Sequence, residues 1–338
     1  MSFRQTKVSG FPAVALRSAE LEVVAVPAIG MKLTNLRRLN GREWLWRSDQ
    51  IPLALPEPGT SYVEAADSGG WDECFPTVGP CPVPGALEDT PPLPDHGELW
   101  SAPWSSSVYD HAEGTTLTGS APGSAFPYDF QREITLDPQD PVVRFRYRVF
   151  NRGDTPFPWI WSSHPLLNVQ PGSELTLSGV TQVKLDAVHG RDDLSDSDVV
   201  SWPGAIGGYS DRFTFPETGG WAIKCFGDLT GESTLAVTDP RKGERLEILV
   251  RAAEVPQVGV WINCRGWAPR GRQPYYNLGL EPCIGAPDRL DVAVSNWKTA
   301  QVLEPGEERA WSVEVRLPAC AARPPRRWSA GHCPPPDY

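Results

Sequence analysis

The clearest periodicity in the chain is two. Residues 142–150, VVRFRYRVF, place Val143, Phe145, Tyr147 and Val149 on one face and Arg144, Arg146 and Arg148 on the other. That is the alternation of a half-buried strand, with the arginines on a solvated or cross-strand-paired face. Residues 308–317 repeat it: Trp311, Val313, Val315 and Leu317 oppose Ser312, Glu314 and Arg316. Further strands are predicted over 21–26, 32–39, 115–118, 130–136, 157–162, 174–177, 221–226, 234–238, 245–250, 258–263, 277–281 and 299–303. Turn pairs such as Asn40-Gly41, Pro171-Gly172, Lys242-Gly243 and Pro305-Gly306 separate them. No long amphipathic helix and no fixed repeat interrupts the series. The pattern predicts an all-β fold, a large antiparallel β-sandwich, as one domain over residues 1–317. Residues 318–338 hold six prolines and no apolar period, and are expected to form a disordered tail. His332 and Cys333 within it are set aside. Two stretches, 52–95 and 186–211, read as long loops, which are often functional.

Composition narrows the function. With 36 prolines and 31 glycines the chain is poorly suited to long helices. Acidic residues outnumber basic ones by 42 to 31, for a net charge of −11, so nucleic acid is not an expected partner. No apolar run has signal-peptide or membrane-spanning length, and a cytoplasmic protein that does not enter a membrane is expected. Seven cysteines without a CxxC pair read as reduced thiols. Neither HExxH nor GxGxxG nor a Walker-type loop occurs, so no metal and no cofactor are expected. The oligomeric state is left open.

The unusual residue is tryptophan, with 14 copies. Most read as core, but Trp71, Trp202 and Trp267 fall in predicted loops beside polar groups. There an aromatic face can pack on the C–H face of a sugar while carboxylates and arginines bond its hydroxyls. His96 lies in PDHGELW, and His164 in WIWSSHPLLNV at the predicted end of a strand. For either histidine taken alone, a half-buried ring bonded to a backbone carbonyl is the commoner reading. Glu281, on the face opposite Leu278 and Leu280, is costly to bury unless paired or functional. Asp211-Arg212 leads into an aromatic strand and equally fits a surface ion pair.

Taken in order, SGGWDECFP, DHGELW, SSHPLLNV, SDRFTF and GLEPCIGAPD resemble the landmarks of the aldose 1-epimerase (galactose mutarotase-like) family. The resemblance extends in particular to bacterial members related to hexose-6-phosphate mutarotases, and covers roughly residues 10–317. It implies a large antiparallel sandwich of the galactose mutarotase-like type with a shallow cleft. It also implies a reaction that interconverts the α and β anomers of a free sugar by ring opening. Glu281 then matches the general base, His164 the general acid, His96 an assisting histidine and Asp211 a ligand of sugar hydroxyls. Asp72, Trp71, Arg265 and Trp267 are expected to complete the substrate-binding set. Asp72-Glu73 would repel a phosphate, whereas Arg265, Arg270 and Arg272 would attract one, so a monosaccharide and a sugar phosphate both remain open. Two other readings stand beside this one. One is a non-catalytic carbohydrate-binding protein of the same fold. The other is a glycoside-processing enzyme that pairs Glu281 with Asp72 or Glu73.

Overall fold

The computed structural model describes residues 2–57, 59–112 and 114–318. Residues 319–338, where the tail prediction falls, lie outside the described residues. Among the described residues the strands form two large antiparallel sheets and a two-stranded ribbon. The first sheet has eleven strands, in spatial order Ser2–Val8, Phe11–Arg17, Leu21–Val26, Lys32–Arg38, Trp71–Cys74, Trp161–Leu167, Tyr276–Ile284, Gln257–Cys264, Trp221–Asp228, Gln182–His189 and Val199–Ser201. The second has nine: Arg212–Thr214, Glu174–Leu177, Glu232–Asp239, Glu244–Arg251, Glu308–Arg316, Val142–Asn151, Tyr128–Leu136, Gly114–Pro122 and Ser105–His111. The fold is thus all-β and sandwich-like, as the alternation predicts. No helix of the described residues is long and apolar enough to cross a membrane.

The predicted face of the Val142–Asn151 strand is buried from Val143 to Val149 at every second residue. Its arginines pair across the ladder: Arg144 Nε donates to Glu314 (3.1 Å), and Arg148 lies 3.6 Å from Glu308. Several strands differ from expectation: Ser2–Val8, Phe11–Arg17, Ser105–His111 and Gln182–His189 are additional, and Trp71–Cys74 and Val199–Ser201 are strands within the stretches 52–95 and 186–211 expected as loops. Residues 157–162 form two strands, because the Ile160 N–H bonds the Pro76 carbonyl (2.9 Å) and breaks the ladder there. Conversely, Pro165 does not end its strand. The chain runs on to Leu167, with the Leu166 N–H bonded to the Gly70 carbonyl.

Between the sheets lies an aromatic layer. Trp71 packs on Phe145 (4.8 Å between rings), Tyr147 on Trp161 (4.8 Å), and Trp311 on Trp161 (5.1 Å) and Trp159 (5.7 Å). One ion pair is set into it. Arg132 Nη2 of the nine-stranded sheet meets Glu73 Oε1 of the eleven-stranded sheet at 3.1 Å, both fully buried. The Tyr147 hydroxyl and the Trp161 indole N–H also donate to Glu73 (3.1 and 2.8 Å). Burial pushes the Glu73 carboxyl up to about 7 even against these partners. Removing one member of such a pair strands a buried charge. Arg132→Met should therefore destabilise the fold by about 3–5 kcal/mol, and adding Glu73→Gln should recover much of the loss. Thermal melts check this, and an unchanged Tm in Arg132→Met would contradict it.

Candidate active site

The site is built on the face of the eleven-stranded sheet that points away from this core. Strand parity decides which residues reach it. In Trp71–Cys74, Trp71 and Glu73 enter the core, so Asp72 takes the other face. There it pairs in register with His164. Ser162 opposite Cys283 and Leu166 opposite Gly279 set a register that lays His164 alongside Glu281. Glu281 is in turn opposite Gly259, and Lys224 is opposite Trp261. At the far side a bulge shifts the pairing, with Leu185 opposite Cys225 and Ala187 opposite Lys224. The extra residue, Asp186, is thereby turned into the cleft, a common use of a bulge.

The cleft has a volume of about 250 Å³. That is below the ~300–1,000 Å³ typical of drug-sized ligand pockets and suits one small ring. Its floor carries His164, Glu281 and Lys224. Trp261, Trp267 and Tyr275 form one wall, and Tyr62 and His96 another. Trp267 stands edge-on to both Trp261 (5.7 Å) and Tyr275 (6.0 Å). His164 Nε2 is 3.7 Å from Glu281 Oε1. Glu281 Oε2 is bonded by Lys224 Nζ (2.6 Å) and by the Ser162 hydroxyl (3.3 Å). Glu281 Oε1 is buried without a hydrogen-bond partner among the described residues. A Cβ on Gly279 would lie 2.6 Å from that oxygen, so glycine there keeps the space beside the carboxylate open.

His96 is delivered by a left-handed backbone (φ 60°), rarely adopted by residues other than glycine. Its N–H bonds the Val78 carbonyl at 2.5 Å. Its ring stacks on Tyr62 (3.9 Å) and meets His164 edge-on (4.8 Å). Nδ1 sits 2.8 Å from Asp95 Oδ1. Tyr62 is held from behind, where its hydroxyl donates to Asp72 (2.8 Å), itself paired with Lys32 (2.5 Å).

The electrostatics separate the titratable groups. Burial, reinforced by the nearby His96 and Lys224, pushes His164 well below its ordinary value, so its ring is neutral at neutral pH. Burial works to raise Asp95, but bonds with His96, Ser61 and the Val63 N–H outweigh it and hold the group at about 2. Burial and the neighbouring Asp288 push Asp186 up to about 7. Lys224 is raised despite burial by the charges of Asp288 and Glu281.

The structure therefore gathers His96, His164, Glu281 and Trp267 in one cleft. The other expected residues lie elsewhere. Trp71 is buried in the sandwich core by strand parity and cannot stack on a ligand. Asp72 is on the cleft side but fully buried behind Tyr62, tied to Lys32. Asp211 borders the edge strand Arg212–Thr214 of the opposite sheet, with its side chain 70% exposed and paired to Arg212. Arg265 stacks on Tyr276 (4.8 Å) outside the cleft, and Arg272 bonds the Gln50 carbonyl (2.9 Å). Trp202 is a core residue. Glu73 faces the core and Asp72 is closed off, so neither is presented as a carboxylate partner for Glu281.

Sequence reasoning missed Lys224, Asp186, Asp288, Asp67, Tyr62, Tyr275, Trp261 and His189, all of which line the cleft. Two left a signal. Lys224 is a lone cation inside the apolar strand WAIKCFGD, and Asp288 is the acid of the GAPD motif. The bulge that presents Asp186 has no sequence mark.

A family model described as aldose 1-epimerase matches residues 12–316. Several solved structures share the fold. The Slr1438 protein from Synechocystis sp. PCC 6803 is 16% identical, with a TM-score of 0.66 over 94% of this chain and 98% of that one. A galactose mutarotase related enzyme from Lactobacillus acidophilus is 15% identical, with a TM-score of 0.66 over 92% and 98%. A galactose mutarotase-like protein from Lactobacillus casei ATCC 334 is 15% identical, with a TM-score of 0.63 over 90% and 99%. At these identities the likeness establishes the fold. No curated protein sequence matches the chain.

The Asp186 position has a consequence for stability. A carboxyl raised to about 7 in the fold, against about 3.9 when unfolded, stabilises the fold fully only below pH 4 and loses that contribution as pH rises through 7. Asp186→Asn can keep the bond from the Asp288 N–H without the charge. It should raise Tm relative to the parent at pH 8, with the gain vanishing toward pH 4. A gain that grows on acidification would contradict the assignment.

Proposed function

We propose that this chain, which belongs to the aldose 1-epimerase family, is a mutarotase that opens and recloses the ring of an uncharged monosaccharide. The observation that carries the reading is the Glu281 carboxylate, with one oxygen tied and the other unpartnered 3.7 Å from His164, on the floor of a sugar-sized cleft.

The chemistry follows from those two groups. Glu281 Oε1 takes the proton of the anomeric hydroxyl as the bond from C1 to the ring oxygen breaks. His164 donates a ring N–H to the departing oxygen. A neutral imidazole can serve as such an electrophile. The aldehyde rotates about C1–C2, and reclosure on its other face reverses both transfers: the imidazolate left on His164 takes back the proton of the ring oxygen, and Glu281 returns the other to the new anomeric oxygen. His96, supported by Asp95, borders His164 and the sugar. Trp261, Trp267 and Tyr275 offer faces and edges for the C–H surface of the ring.

Charge favours an uncharged sugar. Asp67, Asp186, Glu281 and Asp288 line the cleft against one lysine, which two of them already engage. Arg265, Arg270 and Arg272 do not line it. A phosphate would meet a negative field.

Polarimetry on freshly dissolved α-glucose and α-galactose tests the reading. The protein should speed the decay to equilibrium rotation. Glu281→Gln and His164→Ala should each slow it by about 10²- to 10⁴-fold, the contribution of a positioned acid–base group. Asp211→Ala should leave the rate unchanged. Full activity in Glu281→Gln would remove the proposed base. Aryl glycosides should stay uncleaved, and aglycone release would instead favour a glycosidase.

A further inference from the structure

Lys224 is the least expected group in the cleft. A lysine is seldom buried unless paired. It stands on Trp221–Asp228, two strands from Glu281, with Gln257–Cys264 between them. Its side chain reaches Glu281 across that intervening strand, at the point where the strand carries Gly259. A Cβ on Gly259 would lie 3.3 Å from Glu281 Oε2 and 3.0 Å from the Phe226 ring. Glycine at this position therefore leaves room around the oxygen that Lys224 bonds.

The ammonium is held from its other side by Asp288 Oδ1 at 3.3 Å. Asp288 is fixed through its own backbone. Its carbonyl accepts from the N–H groups of Val78 (2.9 Å) and Gly79 (2.7 Å), and the Thr77 hydroxyl donates to it (3.3 Å). The Val78 carbonyl in turn receives the His96 N–H. One short segment, 77–79, thus fixes both the anchor of the lysine and the second histidine.

We propose that Lys224, clamped by Asp288, is a positioning residue for the base: it engages Glu281 Oε2 and so directs Oε1 at the anomeric hydroxyl. The proposal rests on the reading of Glu281 as the base. Lys224 touches no reacting atom. It acts by fixing the carboxylate rotamer and by supplying the countercharge that a buried carboxylate requires. The other ionisable groups facing this pair are His164, His96, Asp186 and the thiols Cys74, Cys225 and Cys283. Burial pushes all three thiols up, Cys225 to about 12, so they stay protonated through neutral pH.

The test is the pH profile of kcat/KM for mutarotation of α-galactose and α-glucose between pH 4 and 9. Wild type, Glu281→Gln, Lys224→Met, Lys224→Arg and Asp288→Asn are compared, with Tm recorded for each. Lys224→Met should lose about 10²-fold, the scale of a misplaced catalytic group. Its acid limb should move to higher pH, because the carboxylate is left without a countercharge. Lys224→Arg should restore the limb. Asp288→Asn removes a negative neighbour, so its limb should move to lower pH. The upward shift in Lys224→Met and its rescue in Lys224→Arg are the signature of the proposal, whereas the shift in Asp288→Asn reports only that Asp288 faces the same carboxylate. If Lys224→Met does not fold, Lys224→Gln, which removes the charge but keeps a polar end, decides by the same upward shift of the limb. Loss of activity in Glu281→Gln with unshifted limbs in the lysine variants overturns this proposal alone. Full activity in Glu281→Gln, or a wild type that accelerates neither sugar, overturns the underlying reading and this proposal with it.

Discussion

The constraint on which the molecule depends is the period of two in the central strands of the eleven-stranded sheet. Each strand must serve two environments that lie one residue apart. Trp71 and Glu73 enter the sandwich core while Asp72, between them, supports the cleft. Trp161 packs under Trp311, and His164, three residues later, faces the cleft. Leu278 and Leu280 are core, and Glu281 is site. A slip of one residue would exchange the two faces, placing Glu281 and His164 among the tryptophans. The same packing that fixes the register against a slip therefore also fixes the geometry of the cleft floor.

That floor buries more charge than a sheet surface ordinarily carries, and cations stand against several of its acids. Lys32 pairs with Asp72, and Lys224 is shared between Glu281 and Asp288. Asp95 is bonded to His96, and Glu73 is clasped by Arg132 on the core side. Glu281 Oε1 and His164 Nδ1, like Asp72 Oδ1 and Asp288 Oδ1, are buried with no hydrogen-bond partner among the described residues. Of these residues, Glu281, His164 and Asp288 line the cleft, where a ligand's own polar groups can complete their bonding. The aromatic walls complement this, because they add contact area without imposing further charge.

The fold was legible because its largest elements obey simple alternation. The Val142–Asn151 and Glu308–Arg316 strands read directly from the sequence, as did the absence of long helices. Trp71–Cys74 was harder, since a four-residue strand preceded by two glycines looks like a loop. Misjudging it also misplaced Trp71, because only strand parity shows that the tryptophan and not the aspartate enters the core. In the site, His96, His164 and Glu281 were legible through their motifs. Asp211 was not: its strand joins the opposite sheet, which is a matter of topology and not of local pattern. Lys224 and Asp186 depend on cross-strand register and on a bulge, neither of which a single chain segment encodes.

The central claim is that the cleft turns a sugar over and does not merely hold it. Exchange spectroscopy by NMR on a monosaccharide already at anomeric equilibrium tests this without a change in concentration of either form. With catalytic amounts of the protein, the account predicts exchange cross-peaks between the α and β anomeric protons, absent without protein and lost with Glu281→Gln. Line broadening of the sugar signals without any gain in exchange would show a site that binds but does not catalyse, and would contradict the account.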